Sequence, residues 1–146
     1  MKQFTSDSEN ETIAVAQDFA RGLKPGSVIA LSGDLGSGKT QFVKGVAVGL
    51  GLKDPDEVKS PTFAIMHIYE SRVPVYHFDL YRLETVKEVR DIGFEELIGD
   101  GQAVTCVEWP ERAGSLMPSH TIHVAIEIVD FATRRIKIKN PAKRKK

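Results

Sequence analysis

The sequence has few of the features that mark secreted or membrane-bound proteins. It contains a single cysteine, Cys106, which excludes an internal disulfide and fits a reducing cytoplasm. Every apolar run is far shorter than the roughly 20 residues that a membrane-spanning helix needs. Residues 1–7 lack the apolar stretch of a secretory signal. We therefore expect a cytoplasmic chain that makes no contact with a membrane.

The chain also has no excess of charge of either sign, but its charges are unevenly placed. The 146 residues include 20 Lys and Arg and 20 Asp and Glu. Residues 134–146 contain eight of the basic residues and no acidic one, which leaves an acidic remainder. We predict one domain over residues 1–139, followed by a basic, disordered tail over residues 140–146. Two interpretations of the tail remain open, a solvated chain end and a contact with RNA phosphates.

Apolar periodicity predicts a mixed α/β domain. The first half predicts a helix over residues 9–23 and a buried strand over residues 28–31. A glycine-rich turn over residues 33–38 and a second helix over residues 40–50 follow. The second half predicts a hairpin of residues 63–69 and 73–78, a helix over residues 85–98 that is broken near Gly93, and a strand over residues 103–107. A last hairpin is predicted for residues 122–128 and 135–138. This order predicts a P-loop NTPase-like three-layer fold with a mixed, mostly central parallel sheet and β-hairpins.

The strongest motif is the stretch 33–40, Gly-Asp-Leu-Gly-Ser-Gly-Lys-Thr. It matches the Walker A pattern G-x-x-x-x-G-K-[ST], and it follows a predicted strand and opens a predicted helix, as that pattern requires. Glycines let the backbone take positive φ and approach a phosphate, so that its N–H groups form an anion-binding concavity. The positive end of the following helix dipole lies at the same place. The stretch therefore predicts a nucleotide-phosphate site.

Two side chains give this stretch its expected chemistry. Lys39 can reach the β- and γ-phosphates of a nucleotide, and the hydroxyl of Thr40 can bind Mg²⁺. The predicted nucleotide-binding residues here are Gly33, Asp34, Leu35, Gly36, Ser37, Gly38, Lys39, Thr40 and Gln41. A GTPase is disfavoured because the chain has no Asn-Lys-x-Asp element to read a guanine.

A Walker A loop needs a carboxylate at the end of a nearby strand to hold Mg²⁺, and two residues qualify. Glu108 follows the continuous apolar run 103–107, as expected after a central strand. Asp79 follows the more alternating run 75–78, which suits a hairpin strand. The pattern favours Glu108 as the metal acid and Asp79 as a second acid. For either residue alone, a surface carboxylate at a strand end is the competing interpretation.

A further candidate is the stretch Ser60-Pro61-Thr62, which lies between the second predicted helix and a strand. Proline fixes φ there and favours an extended backbone around it, so the hydroxyl of Thr62 can be presented to a ligand. A hydroxyl at this position could sense a γ-phosphate, as switch segments do, while a plain loop is the alternative.

Four motifs in a fixed order make the chain resemble a known family. Gly-Asp-Leu-Gly-Ser-Gly-Lys-Thr (33–40), Ser-Pro-Thr-Phe (60–63), His-Phe-Asp-Leu-Tyr-Arg-Leu (77–83) and Glu-Trp-Pro-Glu (108–111) resemble those of the TsaE family. That family comprises bacterial ATPases of tRNA threonylcarbamoyladenosine biosynthesis. The resemblance extends from the first helix to about residue 130, and its most particular motifs are the third and the fourth.

The resemblance implies ATP and Mg²⁺ as ligands. Residues 33–40, with Lys39 as a catalytic cation, would bind the ATP phosphates. Thr40 and Glu108 would hold Mg²⁺. Asp79 would be a catalytic acid that orients or activates the attacking water.

The resemblance also implies roles outside the loop. Thr62 would belong to a mobile switch beside the γ-phosphate, and Thr12, at the start of the first helix, would lie near the nucleotide. Trp109 would pack next to the metal acid, or serve only as a core aromatic. Two positions depart from the family pattern, Ser37 where alanine is common and Gln41 where a second threonine is common. Neither supplies the lysine or a metal ligand, so nucleotide binding is expected to survive.

The function implied by the resemblance is slow Mg²⁺-dependent ATP hydrolysis in complex with TsaD and TsaB, in support of tRNA modification. The basic tail would then be able to touch tRNA. Two alternatives remain open from the residues: a kinase for a small molecule or nucleoside, and a module that binds ATP without hydrolysing it. A product assay separates the three.

Overall fold

The computed structural model describes residues 1–59 and 64–141, which form a seven-stranded sheet with helices on both faces. The strands are β1 Lys2–Ser6, β2 Val28–Ser32, β3 Met66–Tyr69, β4 Val75–Asp79, β5 Val104–Glu108, β6 Ile122–Ile128 and β7 Arg134–Lys139. The α-helices are α1 Glu9–Ala20, α2 Lys39–Gly49, α3 Val86–Asp91 and α4 Phe94–Ile98. Short 3-10 turns cover Pro55–Glu57, Pro110–Arg112 and Gly114–Leu116. No helix in this part of the chain is both long and apolar enough to cross a bilayer.

The strand order is β1-β7-β6-β2-β5-β4-β3, and the pairing is mixed. The pairs β6–β2, β2–β5 and β5–β4 are parallel, so four strands form a parallel centre. The pairs β1–β7, β6–β7 and β3–β4 at the two sides are antiparallel. The predicted fold class, a mixed sheet with a mostly parallel centre and hairpins at its edges, is confirmed.

The central strands are buried on both faces, which explains their continuous apolar sequences. All five residues of β5 are buried, and alternate residues enter two different cores. Cys106 packs into the core formed with α1 and α2, whereas Val107 packs into the core formed with α3 and α4. Burial raises the pKa of the Cys106 thiol, as expected of a small side chain enclosed in a core.

Helices α1 and α2 pack closely because two glycines lie at their contact. A Cβ on Gly45 would lie 2.6 Å from the Cβ of Ala16 and would also collide with the Ile13 carbonyl oxygen. A Cβ on Gly49 would lie 2.7 Å from the Cβ of Ala20. Small residues on both helices therefore set the distance between them. Because α2 begins at the glycine-rich turn, this packing also fixes where that turn lies.

Several element boundaries differ from the predictions. The first helix ends at Ala20 rather than at residue 23, and β3 and β4 begin later than the hairpin prediction placed them. The broken helix over 85–98 is two short helices separated by Gly93, which has a φ of 82°. The prediction of a disordered tail falls largely on residues 142–146, which lie outside the described part of the chain.

Strand β1 has no counterpart in the predictions. Its sequence, Lys-Gln-Phe-Thr-Ser, carries little apolar periodicity, and three of its five residues are exposed. It forms because β7 offers an unpaired edge, with Lys2 opposite Ile138 and Ser6 opposite Arg134. Arg135, which belongs to the basic stretch 134–146, is therefore part of a strand that is paired on both sides, with β1 and with β6.

We expect Gly45→Ala to lower the free energy of unfolding by about 2 kcal/mol, because the new methyl group overpacks the contact between α1 and α2. Gly22→Ala is the matched control, since the nearest atom to a Cβ at Gly22 is 3.8 Å away. Urea unfolding followed by circular dichroism measures both variants. Equal stability of the two variants would contradict the close packing.

Candidate functional site

The glycine loop, residues 33–38, connects β2 to α2 at the carboxyl end of the parallel strands. Gly36 and Gly38 have φ values of 80° and 108°, which other residues rarely adopt. Gly38 is the N-cap of α2, and no side chain caps the helix there. The first N–H groups of α2 are therefore available to an anion, and the helix dipole favours one at this position.

Gly33 closes the base of the loop. A Cβ at this position would lie 2.6 Å from the carbonyl oxygen of Ile126 in β6, so only glycine fits. The Gly33 carbonyl accepts a hydrogen bond from Lys39 Nζ at 2.7 Å. The loop thus folds back over its own lysine, which is buried to 6% exposure although its ammonium group is charged.

Trp109 forms the opposite wall for this lysine. Lys39 Nζ lies 4.2 Å from the centroid of the Trp109 ring, a cation–π distance. The Tyr81 ring lies 4.9 Å from the same indole, centroid to centroid. Trp109 has a φ of 59°, and among the described residues it is the sole non-glycine with positive φ. Backbone strain of this kind concentrates at functional sites, where the surrounding structure maintains it.

Asp79 and Glu108 lie side by side at the ends of β4 and β5. They are register partners in a parallel pair, so their backbones are separated by one strand spacing, about 4.8 Å. Asp79 Oδ1 accepts a hydrogen bond from the Tyr81 N–H at 3.0 Å, which holds that carboxylate at the strand end. The two acids that the sequence singled out are thus brought together beside the glycine loop.

Glu108 is buried to 3% exposure and is joined to a chain of hydrogen bonds. Its Oε2 is hydrogen-bonded to Nε2 of the fully buried His77 at 2.5 Å. The other ring nitrogen of His77, Nδ1, lies 2.9 Å from the hydroxyl of Tyr69. Tyr69 donates to the carbonyl oxygen of Lys59 at 3.1 Å. Burial raises the pKa of Tyr69 to about 12, so this hydroxyl keeps its proton at neutral pH.

Arg134, at the start of β7, supports the glycine loop from the other side. Its Nε donates to the Ser37 carbonyl at 3.1 Å, and its Nη2 donates to the Gly36 carbonyl at 3.2 Å. Its Nη1 donates to the Asp130 carbonyl in the turn between β6 and β7, at 2.9 Å. The guanidinium therefore ties two loop carbonyls to the last hairpin.

These elements surround a cavity of about 730 Å³, within the size range of small-molecule sites. Of the predicted residues, it is lined by Thr12, Leu35, Gly36, Ser37, Gly38, Lys39, Thr40, Gln41, Asp79, Glu108 and Trp109. Gly33 and Asp34 contribute carbonyl bonds beneath the loop instead, to Lys39 and to the Ser37 N–H. The prediction for Thr62 lies outside the described residues.

Six further residues line the cavity although no sequence motif indicates them. Asp7, Ser8 and Glu9 reach it from the start of α1, and Phe131, Ala132 and Arg134 reach it from the β6–β7 hairpin. Phe131 is 99% exposed. An aromatic residue between the two strands of the last predicted hairpin is the one sequence signal for this part of the lining. Arg134 could not be identified, because the sequence places it in a run of basic residues.

The arrangement can hold a phosphate group, and it offers oxygen ligands for a hard cation. The uncapped helix start and Lys39 supply positive charge, while Thr40, Asp79 and Glu108 supply a hydroxyl and two carboxylates. Mg²⁺ binds through one or two carboxylates together with phosphate oxygens and water, so this donor set fits it. Residues 1–59 and 64–141 contain no group of three or more His, Cys, Asp or Glu side chains arranged to hold a metal ion by themselves.

Ser37 carries the one buried side-chain polar atom without a hydrogen-bond partner among the described residues. We expect Ser37→Ala to raise the free energy of unfolding by about 1 kcal/mol, because it removes an unsatisfied buried hydroxyl. Ser115→Ala, at an exposed position, is the control and should change stability by less than about 0.5 kcal/mol. Urea unfolding measures both, and a destabilised Ser37→Ala would mean that the hydroxyl has a partner.

Comparison with known proteins identifies the family. A sequence profile described as "Threonylcarbamoyl adenosine biosynthesis protein TsaE" matches residues 6–136. The chain is 38% identical to a tRNA threonylcarbamoyladenosine biosynthesis protein TsaE of Treponema pallidum, covering 91% of this chain and 96% of the relative. The TsaE of Aquifex aeolicus is 40% identical, with 94% and 96% covered.

A solved structure agrees with these sequence relatives. The crystal structure of Bacillus subtilis YdiB superposes with a TM-score of 0.75 at 30% identity, over 97% of this chain and 86% of that one. The TsaE of Bacillus subtilis is 42% identical over 87% of this chain and 79% of its own length. Sequence and fold agree over nearly the whole chain, including every element that surrounds the cavity. The chain belongs to the TsaE family.

Proposed function

We propose that the chain binds ATP with Mg²⁺ and hydrolyses it slowly, in support of threonylcarbamoyladenosine modification of tRNA. One observation carries the proposal. An uncapped helix start, a buried lysine and two register-paired carboxylates converge on one cavity. A phosphate chain needs the first two of these features, and a bound cation with a water nucleophile needs the carboxylates.

The glycine loop would bind the phosphates through its backbone N–H groups. Gly36 and Gly38 supply the positive φ values that turn these groups inward, and Arg134 engages the loop carbonyls. Lys39 would donate to the β- and γ-phosphate oxygens. Its stem is buried and its ammonium lies against Trp109, so little rotamer entropy remains to be lost on binding.

Thr40 and Glu108 would hold Mg²⁺, which when bound neutralises charge on the phosphate oxygens. Asp79 would orient the attacking water for in-line hydrolysis, because its carboxylate is fixed beside Glu108 by the Tyr81 N–H. Water is the proposed acceptor of the phosphoryl group.

The biological setting follows from the family. The relatives from Treponema pallidum and Aquifex aeolicus are named for tRNA threonylcarbamoyladenosine biosynthesis. We propose that this chain serves the same pathway in the cytoplasm, in complex with TsaD and TsaB. The hydrolysis cycle would act on that complex, and the basic tail, residues 140–146, would contact tRNA.

We expect Lys39→Ala to weaken ATP binding at least 10-fold, because it removes charge-assisted hydrogen bonds worth about 1.5–3 kcal/mol. Isothermal titration calorimetry measures the affinity. Lys53→Ala, which removes an exposed lysine that does not line the cavity, is the control. Equal affinities of the two variants would refute the assignment of the cavity to a nucleotide.

We expect the two acids to differ in their effect on phosphate release from ATP. Glu108→Gln should shift the Mg²⁺ dependence of hydrolysis, whereas Asp79→Asn should lower kcat by about 100-fold or more with the Mg²⁺ dependence unchanged. Phosphate release is measured over a range of Mg²⁺ concentrations, alone and with TsaD, TsaB and tRNA. The reverse pattern would exchange the two roles.

The same assay tests the overall proposal. Phosphate found on an added acceptor would indicate a kinase. ATP binding without phosphate release, even with TsaD and TsaB present, would indicate an ATP-sensing module. Either result would replace hydrolysis as the function.

A further inference from the structure

We propose that His77, oriented by Tyr69, is a positioning residue that fixes the carboxylate of Glu108 for a divalent cation. This inference rests on the proposed function, since the cation is the Mg²⁺ that accompanies ATP. It assigns a role to two residues that do not line the cavity.

Glu108 is buried although it lines the cavity. A carboxylate at 3% exposure is costly to bury unless hydrogen bonds compensate for the lost water. His77 Nε2 supplies such a bond at 2.5 Å, and it engages Oε2. One carboxylate oxygen is thereby held inside the protein, and the second is left for the cavity that Glu108 lines.

The imidazole of His77 has a fixed orientation. His77 is fully buried, and both of its ring nitrogens are engaged. Nε2 lies 2.5 Å from Glu108 Oε2, and Nδ1 lies 2.9 Å from the Tyr69 hydroxyl oxygen, so each ring nitrogen has a hydrogen-bond partner. The imidazole of His67 lies 3.5 Å from the same oxygen, too far for a strong bond. A flipped or rotated ring would lose both of its partners.

The sheet geometry places the side chains of Tyr69, His77 and Glu108 on one face. His77 pairs with His67 across β3–β4 and with Cys106 across β4–β5, so residues two positions along, Tyr69 and Glu108, share its face. The three side chains run diagonally over three adjacent strands, and such diagonal neighbours are within reach of long side chains. Rigid strands therefore set the position of the carboxylate.

The alternative is a structural role, in which His77 only compensates the buried charge of Glu108. Packing alone does not explain a histidine here, since an apolar residue would fill a fully buried position without needing partners. The two roles differ in what a substitution changes. Loss of a positioning residue weakens cation binding beyond any effect on stability, as with other hydrogen-bond partners of metal ligands.

The test compares variants that separate the two ring nitrogens. His77→Gln places an amide nitrogen near the position of Nε2 and can still donate to Glu108. His77→Asn reaches only the position of Nδ1. Tyr69→Phe removes the hydroxyl that orients the ring, and Tyr76→Phe is its control, since the Tyr76 hydroxyl bonds to Asp100 instead.

Two readouts are measured on the full chain. Calorimetry gives the ratio of ATP affinity with Mg²⁺ to ATP affinity in EDTA, and phosphate release gives the free Mg²⁺ at half-maximal rate. We expect His77→Asn and Tyr69→Phe to raise that Mg²⁺ concentration about 10-fold or more and to lower the ratio. His77→Gln should restore both toward the wild type, with ATP affinity in EDTA unchanged throughout.

The outcomes distinguish this inference from the proposed function. If the wild type responds to Mg²⁺ and all variants respond alike, the positioning role is wrong and the ATPase proposal stands. Variants that lose only thermal stability would likewise assign His77 a structural role. If His77→Asn does not fold, Tyr69→Phe decides by the same two readouts. A wild type without any Mg²⁺ response would overturn the proposed function and the positioning role together.

Discussion

The parallel register of β2, β5 and β4 is the constraint on which the rest of the site depends. It sets Glu108 opposite Leu31 on one side and opposite Asp79 on the other, at the strand ends where the glycine loop begins. Because side chains alternate along a strand, a slip of one residue would carry Glu108 to the face of α3 and α4. Burial of β5 on both faces makes such a slip costly, so the core that stabilises the sheet also fixes the acids.

The site concentrates groups that are unfavourable to bury, and each is compensated by a specific partner. Lys39 has the Gly33 carbonyl and the Trp109 ring, and Glu108 has His77. A buried polar network of this kind is costly when it is only partly satisfied. The strained backbone of Trp109 belongs to the same arrangement, since its φ of 59° lets the chain turn directly after Glu108 and places the indole against the lysine.

How much of this could be read from the sequence depended on whether the signal was local. The stretch 33–40 and the apolar run before Glu108 carry their information within a few residues, so the loop, the strand and the acid at the strand end were predictable. Arg134 and β1 were not, because the contacts of Arg134 with the loop span 97 residues and β1 needs the edge of β7. The partnership of His77 with Glu108 was equally hidden, since it requires the register of two strands 31 residues apart.

The residues that hold the cavity lining in place lie on several elements, and these elements differ in how strongly the rest of the fold holds them. Gly45 and Gly49 position the glycine loop through the packed interface of α1 and α2. Arg134 holds the loop from β7, a strand that is paired with both β1 and β6. Tyr69 acts from β3, a four-residue edge strand with one neighbour. Edge strands have fewer hydrogen bonds and less buried surface to resist displacement. A change at this edge would therefore reach Glu108 through Tyr69 and His77 against fewer strand hydrogen bonds than a change in the central strands.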